Sequence, residues 1–153
     1  MAHSIHQMEL DIPINIIWKF ISDINNWAIL VPGYADHELI NDRKSIWKLR
    51  GDFGIMQRTV KLEVNITECR EPSNIQFHLS GLNQTCTGEG YFQATEISKT
   101  KTTITGSLAI TVKGRMGPVI NPFLKTVVPK MTKDLTEKVI SRIVESETVR
   151  ATV

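Results

Sequence analysis

The sequence is poor in the residues that usually announce chemistry. It holds two cysteines, Cys69 and Cys86, too few for a disulfide framework, and a reduced, cytoplasmic setting follows as the default. The four histidines, His3, His6, His37 and His78, show no H-x-x-x-H spacing and no C-x-x-C occurs, so a metal site is not expected and the histidines are read as surface residues. There is no G-x-S-x-G nucleophile turn. Gly88-Glu89-Gly90 begins like a dinucleotide fingerprint, but Gln93 stands where the third glycine belongs and no strand–helix context follows; no cofactor is expected. No stretch approaches the roughly 20 apolar residues that span a bilayer. The opening MAHSIHQMEL lacks a basic segment followed by an apolar run, so no signal peptide is expected. A net charge of +2 is too weak to argue for nucleic acid, and none is expected as a partner. Asn65-Ile66-Thr67 and Asn83-Gln84-Thr85 match the glycosylation triplet, a chance match without a secretory signal.

What the chain does have is periodicity. At 153 residues, 41% hydrophobic and 22% charged, it reads as one domain, residues 1–153, large enough to bury a single core. No repeat, linker or low-complexity segment interrupts it. From Gly117 to about Thr148 apolar residues recur in steps of three and four: Ile120, Phe123, Leu124, Val127, Val128, Met131, Leu135, Val139 and Ile143. That is one face of a long helix, and charged residues fill the other. Pro118, Pro122 and Pro129 predict an irregular or kinked start to this helix.

Ahead of it the period is two. Ser4 to Ile12 reads as a first strand. Asp11 is a candidate cap, with Pro13 near the first turn, for a short helix bearing Ile14, Ile17, Trp18 and Ile21. Ser22-Asp23 opens a second short helix through Trp27, and Val31-Pro32-Gly33 turns the chain. Six strands follow, the first from Ala35 to Ile40 and the last ending near Lys113. Val60, Leu62, Val64 and Ile66 alternate most cleanly with polar neighbours. Short turns between alternating strands mean an antiparallel sheet with one buried face.

The order of elements resembles the helix-grip fold of the START and Bet v 1-like (SRPBCC, polyketide cyclase/dehydrase and lipid transport) superfamily. Three stretches carry the match, and together they resemble the CoxG-like family within it, named for an accessory protein of carbon monoxide dehydrogenase. They are the two short helices with Pro13, Trp18, Trp27 and Val31-Pro32-Gly33, the Gly51-Asp52-Phe53-Gly54 segment before the long strand from Met56, and Val112-Lys113-Gly114-Arg115-Met116-Gly117 at the start of the last helix. The resemblance implies an α+β fold in which a curved, seven-stranded antiparallel sheet wraps the C-terminal helix, with two short helices after strand 1. It also implies a non-catalytic accessory protein associated with membrane lipids and redox partners.

The inward-facing residues either form a solid core or line a cavity, and patterning does not distinguish the two. On the resemblance, a cavity is expected between sheet and helix, lined by Trp27, Tyr34, Trp47, Phe77, Phe92, Phe123, Val127 and Met131. Lys113, Arg115, Lys125, Lys130 and Lys133, with no acid from 113 to 133, make a basic and partly apolar surface suited to anionic headgroups. The leading expectation is a soluble protein, not an enzyme, that holds a lipid or other hydrophobic small molecule. It would be cytoplasmic and peripheral to the inner face of a membrane, as an accessory to a redox enzyme. One alternative is a cyclase- or dehydratase-type enzyme using Glu89 or Tyr91 as a cavity acid, Glu63 being expected to face water. Another is an interaction module docking a membrane complex. Of the cysteines, Cys86 is the one expected to face the interior.

Overall fold

Alternating polarity produces one sheet, and the long amphipathic segment closes over it. The structure is a computed structural model and describes residues 2–52, 57–82 and 86–152. Phe53, Gly54 and Met56 of the second family-like stretch, and the triplet at 83–85, lie outside the described residues. The elements are β1 (Ala2–Leu10), α1 (Ile14–Ile21), α2 (Ile24–Ala28), β2 (Tyr34–Leu39), β3 (Lys44–Asp52), β4 (Gln57–Arg70), β5 (Asn74–Gly81), β6 (Cys86–Ser98), β7 (Lys101–Val112) and α3 (Gly117–Thr152). The strands pair antiparallel in the order β1-β7-β6-β5-β4-β3-β2. The sheet stays open, with β1 and β2 as its edges, and the architecture is the expected α+β helix grip.

The inner strands β4 and β5 bury the register that their alternation marks, while Ile5 and Met8 of the edge strand β1 are exposed. Along β5, Ile75, Phe77 and Leu79 are buried and His78 is exposed; along β4, Leu62 and Val64 are buried. The inward residues meet α1 and α2, which contribute Ile17, Trp18, Ile21, Ile24 and Trp27 to the same core. Asp11 does not cap α1. The N-cap position is Pro13, which makes no side-chain cap bond, and its carbonyl accepts from the N–H groups of Ile16 and Ile17. Asp11 instead lies 3.8 Å from Lys101. Asp23 does cap α2, accepting the N–H of Asn25 at 3.0 Å.

Helix α3 packs on β1 and β7 rather than across the whole sheet. Its buried seam follows an i+4 ridge through Leu124, Val128, Thr132, Thr136 and Ile140, joined by Val139 and Ile143. Adjacent residues on a helix point about 100° apart. The sheet therefore takes Leu124 and Val128, leaving Phe123 45% exposed and Val127 only half-buried. Two threonines enter the seam because each hydroxyl donates back along the helix. Thr132 Oγ1 bonds the Val128 carbonyl at 2.8 Å, and Thr136 Oγ1 bonds the Thr132 carbonyl at 2.7 Å. The helix runs unbroken through Pro122 and Pro129 instead of breaking at its start. Both prolines are on its exposed side, and each removes one backbone bond without ending the helix.

Candidate ligand cavity between sheet and helix

With α3 on β7 and β1 and the short helices packed against the inner strands, a gap remains between the two over the concave face. The gap is a narrow cleft with a cavity volume of about 70 Å³. Its floor is the inward register of β3 to β7, including Trp47, Leu62, Val64, Phe77, Phe92 and Leu108. One wall is Met131, Thr132, Leu135 and Thr136 of α3, and the other is Trp27 with the Val31-Pro32 turn.

The turn is fixed by glycine. Gly33 has φ +85°, and a Cβ there would stand 2.3 Å from the Arg50 carbonyl oxygen. Its own carbonyl accepts the Arg50 N–H at 2.7 Å, tying the turn to β3 and setting Val31 and Pro32 at the cleft. The glycines of Gly88-Glu89-Gly90 have a packing role. A Cβ on Gly90 would lie 2.7 Å from the Phe77 ring, so the ring occupies the space a side chain would take.

The deep end is aromatic. The Trp27 ring centroid lies 5.7 Å from Trp47, 5.4 Å from Phe77 and, edge-on, 5.1 Å from Phe92. Such pairs contribute about 0.5–1.5 kcal/mol each beyond burial. Both indole N–H groups are used inside the protein. Trp27 Nε1 donates to the Ile21 carbonyl at 3.0 Å, and Trp47 Nε1 donates to Ser45 Oγ at 2.7 Å. The cleft therefore presents mostly carbon surface, relieved by Ser107, whose hydroxyl lies 3.4 Å from His3 Nε2, and by the oxygens of Thr132 and Thr136, whose protons are already donated.

Of the eight lining residues read from sequence, the structure brings five together on the cleft: Trp27, Trp47, Phe77, Phe92 and Met131. Tyr34 is half-buried beside them on the edge strand, packed against the main core. Phe123 and Val127 lie elsewhere on α3. Among the lining residues that patterning missed are Val31, Pro32, Leu49, Thr132 and Thr136, the threonines despite the usable signal of their i+4 spacing from Leu124 and Val128.

Among the described residues, no acid, base or thiol lines the cleft. Glu89 is exposed on the outer register of β6, and Tyr91 shares that register, so the cavity acid considered from sequence is not one of these two. Glu63 also lies off the cleft, on the polar register. Hydrogen bonds from Lys44 and Asn65, each at 3.0 Å, hold its carboxyl below the usual 4.5. Cys69 is exposed and Cys86 half-buried, where burial pushes the Cys86 thiol up. The histidines are not uniformly on the surface. His3 and His78 are exposed, but His6 Nε2 is buried 3.8 Å from Glu137, and His37 is half-buried.

The basic stretch runs from the end of β7 along the first half of α3. Lys113, Arg115, Lys125, Lys130 and Lys133 are all exposed, as are Met116, Val119 and Phe123 at 43%, 61% and 45%. The segment is held by Asn121, which sequence reading did not single out. Its side chain accepts the Val112 N–H at 2.8 Å and donates to the Val112 carbonyl at 2.9 Å, clasping α3 to the end of β7.

The same helix-over-sheet arrangement occurs in a START superfamily protein from Mycobacterium smegmatis. That structure matches at a TM-score of 0.66 and 15% identity, over 92% of this chain and 99% of that one. A protein-family model matches residues 1–146. The chain belongs to that family, and its fold is START/Bet v 1-like. Other START-like neighbours differ in what they are. A conserved protein from Geobacillus kaustophilus matches at a TM-score of 0.79 and 18% identity, over 95% and 97% of the two chains. The Zhui aromatase/cyclase from Streptomyces sp. R1128 matches at 0.66 and 15%, over 93% of each. No protein of curated function matches the sequence. At these identities the likeness establishes the START-like fold alone. No helix among the described residues is long and apolar enough to cross a membrane.

Proposed function

We propose that this START-like chain binds or carries a lipid or other hydrophobic small molecule in the cleft between the sheet and α3. One observation carries the reading: a cleft open to the outside whose described lining holds no ionisable group and whose indole donors are already bonded within the protein. Apolar burial, at about 25 cal/mol per Å², would supply the affinity. The same lining argues against an enzyme that uses Glu89 or Tyr91 as its cavity acid. General acid–base catalysis needs a proton-transferring side chain within reach of the ligand, and Glu89 and Tyr91 belong to the outer register.

A membrane source for the ligand is the finer part of the proposal. Met116, Val119 and Phe123 fall three and four residues apart and are exposed, in a stretch from 113 to 133 that carries five cations and no acid. That pattern supports peripheral contact with an anionic leaflet, each cation adding about 1 kcal/mol near the surface. Kinship with the CoxG-like family, a cytoplasmic location and a role beside a membrane redox complex belong to the same reading. They rest on the sequence resemblance.

Native mass spectrometry of the purified protein, with solvent extraction of anything bound, tests the core proposal. A co-purifying or added apolar molecule at one per chain is the expected result. A chain that neither carries nor takes up any lipid or quinone contradicts it.

A further inference from the structure

Among its described lining residues the cleft offers no free side-chain hydrogen-bond donor of the indole or threonine kind, but a polar cluster stands at its edge. Strand β2 pairs with β3, placing Tyr34 opposite Leu49 and His37 opposite Trp47. Directly opposed residues in an antiparallel pair share a face. Leu49 and Trp47 line the cleft, so Tyr34 and His37 stand on its concave face. Strict alternation would send residues 34 and 37 to opposite faces. The register shift between Tyr34 and Asp36 reverses one of them and brings the two rings together, 5.5 Å apart.

The hydrogen bonds here have a defined direction. Asn25 Oδ1 only accepts, and it lies 2.7 Å from His37 Nε2. In the neutral ring Nε2 therefore carries the proton, and Nδ1 accepts. Tyr34 Oη, 2.6 Å from Nδ1, donates its proton there. The phenol oxygen is left with lone pairs and no proton to give. His37 is itself held against the cleft wall, its ring 6.1 Å from that of Trp47.

We propose that Tyr34, oriented by His37 and Asn25, accepts a hydrogen bond from the polar end of the ligand. The ligand is then an amphiphile whose head is a hydroxyl or another O–H or N–H donor, with its apolar body in the cleft. Heads that only accept, such as an ether, a ketone or a carboxylate, find no proton on the Tyr34 oxygen. This rests on the binding reading above.

The test titrates the tryptophan fluorescence of wild type and Tyr34→Phe with two probes, 1-decanol and its methyl ether. Tyr34→Phe keeps the ring and removes the oxygen. Wild type is expected to bind decanol about fivefold or more tightly than the variant does, the effect of one hydrogen bond. The ether, which has no proton to donate, is expected to bind both proteins equally. Equal decanol affinity in the two proteins overturns the proposal. So does a variant that loses both probes to the same extent, because Tyr34 would then only shape the fold. A wild type that takes up neither probe contradicts the binding reading itself.

Discussion

Gly106 and Thr136 mark the place where α3 comes down onto the sheet. A Cβ at Gly106 would stand 2.2 Å from Thr136 Oγ1, a side chain that is 1% exposed and bonded to the Thr132 carbonyl. Gly106→Ala is expected to lift the helix and cost about 1–3 kcal/mol in urea unfolding. In a Thr136→Ala background the same change is expected to cost less, because the atom it strikes has gone. An equal cost in both backgrounds would show that the contact does not set the packing. Glu63 offers a pH test. Its folded pKa is depressed, so its contribution is present above the unfolded value and is lost as pH falls through the folded one. Between about pH 7 and about pH 3, Glu63→Gln is expected to lose less melting temperature than wild type. Matching losses would show that the Lys44 and Asn65 bonds do not lower the carboxyl. Single residues were the least legible scale in the sequence. Nothing local distinguishes Phe123 from Leu124; only the angle between neighbours on a helix, set against one particular sheet, decides which is buried.

The elements were largely legible because each carries its own period. The strands followed their alternation and α3 its three-four spacing, and the misassigned cap, Asp11, was a polar residue two positions away from the Pro13 N-cap. The unbroken α3 shows the limit of reading proline locally. Its cost falls on backbone bonds at the exposed side, and packing of Leu124 and Val128 holds the helix across it. At this scale the basic start of α3 gives a prediction. Reversing Lys125, Lys130 and Lys133 to Glu together is expected to weaken co-sedimentation with anionic vesicles by at least about tenfold. Their charges face outward, so the melting temperature should hold. Unchanged vesicle binding would remove the membrane from the proposal.

For the whole molecule, the question that patterning left open was whether the inward residues fill the space or surround it. The answer depends on where α3 lies, which no local pattern encodes. Packed on β1 and β7, it leaves the concave face of the inner strands to α1 and α2, and the cleft remains between them beside the aromatic cluster about Trp27. The lining residues on the strands were legible as an inward register. The meeting of Tyr34 and His37 was not, because the bulge in β2 that turns them to the same face breaks the alternation. The most direct test of the cleft as a binding site compares uptake of an apolar probe by wild type and by Met131→Trp, using native mass spectrometry. Met131 stands on the α3 wall, and an indole there occupies the cleft without displacing the buried seam. One bound probe per wild-type chain is expected, with a variant that folds but stays empty. Equal uptake by both proteins, or none by wild type, would contradict a ligand held between sheet and helix.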